Sequence, residues 1–177
     1  MITFISGGAR SGKSSFAEKY SLNLFKQDNK NSTLLYIATA ERTDREMEER
    51  INRHIEERDS IWQTVEAPLD ILAILEKTKG QEVILLDCLT VWLNNMMFKE
   101  NIDLVSIIAN VSKWIQLSRQ KQIELIIVSN DLNEGMPIDH IMVHEYIYNL
   151  EKVHRTITES AESVYQVVAG IPIKWKG

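Results

Sequence analysis

The sequence predicts an α/β fold in which a mostly parallel β-sheet is flanked by helices. Short apolar runs rich in β-branched residues alternate along the chain with longer runs whose apolar residues recur at helical spacing, and this alternation is typical of a parallel sheet covered on both faces. A glycine-rich loop joins the first strand to the first helix. Near the end, two apolar runs flank Gly170 closely enough to form a hairpin, so we expect the last strand to be antiparallel.

The strands are expected where short stretches are almost entirely apolar or β-branched. Residues 2–5, 83–87 and 125–128 are nearly continuous apolar runs, as expected of strands buried on both faces of a sheet. The run 62–66 is shorter and is closed by Pro68. In chain order, the expected strands are residues 2–5, 34–39, 62–66, 83–87, 125–128, 164–168 and 171–175.

The helices are expected where apolar residues recur every three or four positions. After Ser14, the residues Phe16, Ala17, Tyr20 and Leu24 follow this spacing. The segment 44–58 is highly charged and carries only a narrow apolar stripe, whereas the segment 141–157 is long and amphipathic. In chain order, the helices expected after the first are residues 44–58, 69–77, 89–98, 105–120 and 141–157.

Length, charge and cysteine content narrow the class of protein. The 177 residues are enough for one domain with a sizeable core, so we expect a single domain over residues 1–177. The net charge of −5 argues against a nucleic-acid partner, which usually needs a basic face. With Cys88 as the single cysteine, no intrachain disulfide can form. Without a signal-peptide pattern or an apolar run of membrane-spanning length, we expect a cytoplasmic protein with no integral membrane segment.

A phosphate-binding loop is the strongest motif in the chain. Residues 7–14 fit the pattern G-x-x-x-x-G-K-[ST] at every required position, and a strand precedes them while a helix follows. In such a loop the backbone N–H groups surround phosphate oxygens, Lys13 reaches the outer phosphates, and the Ser14 hydroxyl holds Mg²⁺. We therefore predict a P-loop NTPase-like fold with a nucleotide site made of Gly7, Gly8, Ala9, Arg10, Ser11, Gly12, Lys13 and Ser14.

Asp87 is the second candidate for the nucleotide site, because it ends an apolar strand. An acid at this place in a P-loop protein holds Mg²⁺, either directly or through water, beside the hydroxyl of the loop. We therefore assign Ser14 and Asp87 as metal ligands. The neighbouring Cys88 is more simply interpreted as a buried, unreactive thiol than as a nucleophile. We also expect Lys13 to face solvent, so that its removal would not open a cavity.

The charged segment 44–58 brings a histidine between two arginines. His54 lies on or beside the apolar stripe, and Arg50 and Arg58 lie four residues before and after it. In a continuous helix the three side chains form one row, in which the two cations favour a neutral, nucleophilic imidazole and attract a polyphosphate. A partly buried structural histidine is the alternative reading of the same pattern.

Two other features of the sequence give weaker evidence about function. His140 and His144 have the i, i+4 spacing of a metal-binding pair, but a third ligand is not apparent, so a solvated helix face is the simpler interpretation. The chain has no [NT]-K-x-D sequence, so guanine recognition of the signalling-GTPase kind is not indicated.

An ordered set of motifs resembles a known family. Residues 6–14 read SGGARSGKS, residues 36–39 YIAT, residues 84–87 ILLD, and residues 167–175 VVAGIPIKW, with His54 in a charged helix between the second and third of these. The set resembles the bifunctional adenosylcobinamide kinase / adenosylcobinamide-phosphate guanylyltransferase family of cobalamin biosynthesis, over nearly the whole chain. The segment 130–137 departs from the family pattern, because Asn133 stands where the family has a glycine.

The resemblance implies two reactions on a corrinoid substrate. The family phosphorylates the aminopropanol hydroxyl of adenosylcobinamide with ATP or GTP, and then transfers GMP from GTP to that phosphate, which gives adenosyl-GDP-cobinamide and pyrophosphate. The guanylyl group passes through a histidine, and His54 matches that position. The resemblance also implies a homotrimer with active sites near the subunit contacts.

The resemblance implies further nucleotide-binding residues. Ala38, Thr39 and Ala40 match a nucleotide-contacting turn after the second strand, and Glu66 and Asp87 match acidic positions that contact GTP. A nucleotide-binding stretch directly follows the histidine and comprises Ile55, Glu56, Glu57 and Arg58. With these assignments, His54 and Lys13 are the expected catalytic residues.

Two other functions fit the phosphate loop without the guanylyl transfer. A simple P-loop kinase of small molecules would make cobinamide phosphate but release no pyrophosphate from GTP. A nucleotide-binding regulatory switch would bind nucleotide without consuming cobinamide. In both, His54 would be a structural residue.

Overall fold

The computed structural model describes residues 1–27, 33–41, 61–132 and 140–177. The strands are β1 (Ile2–Gly7), β2 (Leu34–Ala38), β3 (Trp62–Glu66), β4 (Val83–Asp87), β5 (Glu124–Asn130), β6 (Ser163–Val168) and β7 (Ile171–Lys176). The α-helices are α1 (Lys13–Gln27), α2 (Ile71–Lys77), α3 (Leu89–Asn94), α4 (Leu104–Gln120) and α5 (Ile141–Ser160), and a π-helical turn, Asn95–Lys99, continues α3.

The strands form one seven-stranded sheet in the order β3-β2-β4-β5-β1-β6-β7. Every neighbouring pair is parallel except β6 and β7, which are antiparallel. The predicted fold class and the antiparallel last strand are therefore confirmed. β1 lies near the middle of the sheet, between β5 and β6, so the loop that leaves its carboxyl end is surrounded by the ends of other strands.

Two apolar layers cover the sheet, one on each face. On one face, α1 packs through Ala17 against inward side chains such as Ile5, Tyr36, Leu85 and Val128. On the other face, α2 to α5 pack against Phe4, Leu86 and Ile127 and their neighbours. The strand residues alternate between the two layers, as the pleat requires. The face covered by α1, called here the α1 face, is the one on which the phosphate loop turns back over the sheet.

Several predicted boundaries move by a residue or more, for local reasons. The helix expected at 69–77 begins at Ile71, because the Asp70 side chain caps it by accepting from the Ala73 N–H at 3.0 Å. Asp103 caps α4 in the same way, through the Ser106 N–H at 2.8 Å. The helix expected at 89–98 changes from α to π geometry at Asn95, a single wide turn for which apolar spacing gives no signal.

The strand expected at 62–66 is confirmed, and β1 extends two residues beyond the predicted 2–5 to reach Gly7. The helix expected at 44–58 lies outside the described residues. Among the described helices, none has both the length and the apolar character needed to cross a membrane.

Candidate nucleotide-binding site

The phosphate loop has the backbone that its glycines predict. After Gly7 ends β1, the chain turns through Arg10 with φ of 58° and Gly12 with φ of 88°, and the Ser11 N–H donates to the Gly8 carbonyl at 3.2 Å. Gly7 has no room for a side chain, because an added Cβ would lie 2.5 Å from the Val167 carbonyl oxygen. The loop is therefore held in a compact form that depends on glycine.

The turn between β6 and β7 lies directly against this loop. The Gly170 N–H donates to the Ser11 carbonyl at 2.8 Å. A Cβ added to Gly12 would lie 3.2 Å from the Gly170 Cα, so the two backbones are in contact. The end of the chain thus supports the loop on the side away from β5.

Lys13 is buried, with 8% of its surface exposed, and its Nζ donates to the Gly8 carbonyl at 3.2 Å. The expectation of a solvent-facing lysine is wrong. A buried ammonium needs an acceptor, and the carbonyl of the loop supplies one. Ser14 beside it is half-buried, and Arg10 is exposed. Lys13 is thus folded back over the loop, with its ammonium beside the Gly8 carbonyl.

Asp87 ends β4 with its carboxylate fixed by a neighbouring strand. The Tyr36 hydroxyl donates to Asp87 Oδ2 at 2.9 Å. Thr39 secures the next residue, because its Oγ1 donates to the Cys88 carbonyl at 2.8 Å and accepts from the Cys88 N–H at 2.9 Å. The Thr39 N–H also donates to the Asp87 carbonyl at 3.2 Å. These bonds fix the direction in which the Asp87 carboxylate points.

Three of the expected nucleotide-binding residues lie side by side on the neighbouring strands β3, β2 and β4. Ala38 pairs with Glu66 on β3 and with Asp87 on β4, so all three lie at the carboxyl edge of the sheet. Strand alternation places their side chains on the α1 face, because Tyr36 and Leu85, two residues earlier, belong to that layer. Ligands of open parallel sheets bind at this edge, and the phosphate loop lies there too.

The turn after β2 differs in one respect from the expected nucleotide contact. Thr39 is fully buried, and its hydroxyl is engaged with Cys88 on both sides. Its side chain therefore supports the β4 end rather than facing the edge. Ala38 and Ala40 are half-buried, and Glu66 is exposed.

The Cys88 thiol is poorly suited to act as a nucleophile. Burial first, and the Asp87 carboxylate second, raise the pKa of the thiol to about 11, while Lys13 is among the groups that lower it. The thiolate is the reactive form, so this supports the expectation of an unreactive cysteine. Lys13 and Asp87 thus both lie close enough to Cys88 to influence the pKa of its thiol.

The histidine segment lies outside the described residues. This applies to His54, to the flanking Arg50, and to the stretch Ile55, Glu56, Glu57 and Arg58. The altered loop at 133–137 is outside them as well. The roles expected of these residues stay predictions.

His140 and His144 lie at the exposed start of α5. His140 is the N-cap of α5, where its Nδ1 accepts from the Met142 N–H at 3.3 Å, and both side chains are exposed. In the part of the chain that the structure describes, no three His, Cys, Asp or Glu residues are grouped as metal ligands.

A buried polar chain beside the site was missed by the sequence reasoning. Ser129 Oγ lies 3.1 Å from Thr90 Oγ1 and 2.7 Å from His154 Nε2, and it links α3, β5 and α5. A signal was available in Ser129, a polar residue that directly follows the apolar run of residues 125–128.

Comparison with known proteins decides the family. The family model described as cobinamide kinase / cobinamide phosphate guanyltransferase matches residues 3–175. The chain belongs to this family. The bifunctional adenosylcobalamin biosynthesis protein CobP of Pseudomonas aeruginosa is 32% identical over 178 residues, which cover 100% of this chain and 98% of that protein. The bifunctional adenosylcobalamin biosynthesis protein CobU of Escherichia coli is 30% identical and covers 99% of this chain and 100% of its own.

Solved structures show a similar fold at low sequence identity. The flagellar accessory protein FlaH of Methanocaldococcus jannaschii matches with a TM-score of 0.51 and 14% identity, over 99% of this chain and 77% of its own. A Pyrococcus horikoshii protein, PH0250, matches with a TM-score of 0.56 and 9% identity, over 99% of this chain and 86% of its own. At these identities the likeness concerns the fold alone, and the family assignment rests on sequence.

Proposed function

We propose that this member of the cobinamide kinase / cobinamide phosphate guanyltransferase family carries out both reactions of its family name in a single domain, residues 1–177. It would phosphorylate the aminopropanol hydroxyl of adenosylcobinamide with ATP or GTP, and then transfer GMP from GTP to the new phosphate. The observation that carries the proposal is the full-length family match together with a complete phosphate loop at the carboxyl edge.

The kinase step requires charge neutralisation and alignment more than covalent chemistry. Lys13 supplies a buried ammonium at the loop, and the loop backbone supplies N–H donors where phosphate oxygens would lie. Because Lys13 already bonds to the Gly8 carbonyl, binding a phosphate exchanges one acceptor for another. The charge is in place before substrate arrives, which favours stabilisation of the transferring phosphoryl group.

The residues at the edge suit Mg²⁺. Ser14 offers a hydroxyl and Asp87 a carboxylate, the oxygen ligands that this ion prefers, and Tyr36 already fixes the carboxylate through Oδ2. When bound, Mg²⁺ would neutralise charge on the phosphate oxygens. Asp87 would hold it from the strand end, and Ser14 from the first turn of α1.

The guanylyl transfer proceeds in two displacements in this proposal. A neutral His54 imidazole attacks the α-phosphorus of GTP, so a P–N bond forms while the bond to the pyrophosphate oxygen breaks. An oxygen of cobinamide phosphate then attacks the same phosphorus and releases the histidine. Arg50 and Arg58 flank His54 in sequence at helical spacing, which supports a neutral imidazole and a polyphosphate at this place.

The proposal is tested by incubation of the protein with adenosylcobinamide, GTP and Mg²⁺, and by resolution of the products by mass. Adenosyl-GDP-cobinamide and pyrophosphate are expected. If cobinamide phosphate forms and no pyrophosphate is released, the protein is a simple kinase. If nucleotide binds and the corrinoid is unchanged, the protein is a regulatory switch.

We further propose a cytoplasmic homotrimer. The β6–β7 hairpin carries exposed apolar side chains, which include Ile171 at 66% and Trp175 at 68% exposure, and exposed apolar patches commonly mark contacts between proteins. Light scattering under assay conditions should give three times the mass of one chain. A monomeric mass in fully active protein would contradict the assembly but not the chemistry.

A further inference from the structure

Two hydrogen bonds fix the end of β5, one to a member of the buried polar chain and one to the phosphate loop. Thr90 Oγ1, 3.1 Å from Ser129 Oγ, accepts from the Asn130 N–H at 2.8 Å. On the other side, the Asp131 N–H donates to the Gly7 carbonyl at 2.9 Å. The backbone at Asn130 is therefore tied both to α3, which follows Asp87, and to the first residue of the phosphate loop.

The buried polar chain extends from Ser129 to His154 on α5. Ser129 Oγ lies 2.7 Å from His154 Nε2, and the imidazole ring lies edge-on to Phe4 with centroids 5.0 Å apart. Burial lowers the pKa of His154 to about 4, although Asp131 and Glu151 act in the opposite direction. The imidazole is thus neutral at pH 7. Tyr146 adds a bond of 2.6 Å from its hydroxyl to the Thr90 carbonyl.

The register of the sheet places Asn130 between the two halves of the nucleotide site. β5 lies between β1 and β4, with Asn130 opposite Gly7 and Val128 opposite Asp87. Ser129 points to the face of α5, where it meets His154, so alternation turns the Asn130 side chain to the α1 face. That is the face of Lys13 and Asp87.

We propose that the Asn130 amide contacts the γ-phosphate of the nucleotide in the phosphate loop, and that Thr90, Ser129 and His154 are positioning residues that hold it there. The inference rests on the proposed function. An amide offers N–H donors to phosphate oxygens, and a donor aimed at developing charge is most effective when its backbone is fixed beforehand. The bonds at Thr90 and Gly7 provide that fixation.

The contact is tested first by nucleotide binding alone. Calorimetry with Mg-ATP and Mg-ADP should show a preference for ATP in the unaltered protein. Asn130→Ala should reduce that preference severalfold with ADP affinity unchanged, and Asn130→Asp should reduce it further, because a carboxylate repels phosphate. Asn94→Ala, at an exposed position of α3, is the matched control and should leave both affinities unchanged. An unchanged ratio in folded Asn130→Ala overturns the proposal.

This measurement needs no corrinoid, so it separates the inference from the proposed function. If adenosylcobinamide is never phosphorylated, the proposed function fails, and the ATP-to-ADP ratio still tests Asn130. If the corrinoid is phosphorylated, Asn130→Ala should lower kcat by roughly 10²-fold, the order found for loss of one donor to developing charge, with little change in the KM for adenosylcobinamide.

The positioning role is tested by a double-mutant cycle. Ser129→Ala should lower kcat about tenfold, as the loss of about one hydrogen bond's free energy would. In the Asn130→Ala background the same change should have almost no further effect, because Ser129 acts only through Asn130. Ser118→Ala removes another fully buried hydroxyl, at the opposite end of β5 where the Ser118 carbonyl accepts from the Ile123 N–H, and should leave kcat unchanged. Equal losses in both backgrounds would mean that Ser129 is merely structural, and the positioning role would be abandoned.

Discussion

The Tyr36 hydroxyl donates a 2.9 Å hydrogen bond to Oδ2 of Asp87 across two neighbouring parallel strands. The bond leaves Oδ1 as the oxygen that we assign to the metal. A carboxylate that is held by a neighbour loses less entropy when it binds an ion, because its orientation is already set. The aromatic residue on β2 thereby becomes part of the machinery expected at the end of β4.

We predict that Asp87→Asn raises the Mg²⁺ concentration needed for half-maximal GTP use, because one negative charge on the metal is lost. Tyr36→Phe keeps the charge and removes only the orienting bond, so it should produce a smaller shift in the same direction. Titration of the initial rate with Mg²⁺ measures both. An unchanged requirement in Asp87→Asn would show that Asp87 is only the end of a strand.

Lys13→Ala should lower nucleotide-dependent turnover by at least ~10²-fold, since it removes the ammonium that we propose for the outer phosphates. Because Lys13 is buried, some loss of stability is also expected, so circular dichroism must first establish that the variant is folded. Lys19→Ala, at an exposed position of the same helix, is the matched control. Full turnover in folded Lys13→Ala would remove the loop from the mechanism.

His54→Ala should abolish covalent labelling of the protein by GTP carrying a labelled α-phosphate. In the unaltered protein the label should appear on a P–N bond, which is labile in acid and more stable in base. Label in the γ-phosphate should not be retained through this bond. The kinase step should persist in the variant, because phosphoryl transfer to a hydroxyl needs no covalent histidine.

The exposed His144 supplies the control for this experiment. His144→Ala should label as well as the unaltered protein does. If His54→Ala still labels and still releases pyrophosphate, the assignment of His54 is wrong and another nucleophile carries the guanylyl group. If the unaltered protein never labels, the histidine is structural.

Gly7→Ala should lower the free energy of unfolding by about 1–3 kcal/mol, the usual cost of forcing an atom into a packed site. The new Cβ would meet the Val167 carbonyl oxygen at 2.5 Å, and a backbone atom cannot move aside easily. Gly170→Ala is the comparison, because its Cβ would have nothing within 4 Å and would add only the strain of a φ of 82°. Urea unfolding measures both, and a Gly7→Ala protein as stable as the unaltered protein would contradict the close approach.

Stability should fall as the pH decreases from about 6.5 towards 4, through His154. The folded protein holds the pKa of this imidazole at about 4, from the ordinary 6.5, so the unfolded chain binds the proton more readily over that interval. Protonation then favours unfolding by at most about 3 kcal/mol. Urea unfolding at pH 7, 6 and 5 measures the loss. His154→Gln should remove most of this dependence, and an equal slope in that variant would assign it to other groups.

Most of the architecture could be predicted because it depends on local patterns. The apolar runs at 83–87 and 125–128, the phosphate loop and the hairpin at Gly170 are all visible in consecutive residues. Strand order could not be predicted, because the interposition of β5 between β1 and β4 depends on contacts between distant segments.

The residues missed at the site were missed for the same reason. Lys13 was expected in solvent, but its burial depends on how the loop folds over its own carbonyl. The bonds of the Thr39 hydroxyl to Cys88 could likewise not be predicted from the turn sequence, and the nucleotide contact expected of Thr39 stays a prediction. Ser129 and His154 lie 25 positions apart, and nothing in either local pattern indicates the other.

The bond from the Gly170 N–H to the Ser11 carbonyl bears on how the protein is made. The phosphate loop leaves the ribosome well before the hairpin turn that supports it. A nascent chain halted before Ser163 would have the complete loop sequence but lack β6, the neighbour of β1, and the Gly170 contact. Competence to bind nucleotide should therefore arise only after the hairpin has been synthesised, so that a product truncated before it would be unable to sequester nucleotide in the cell.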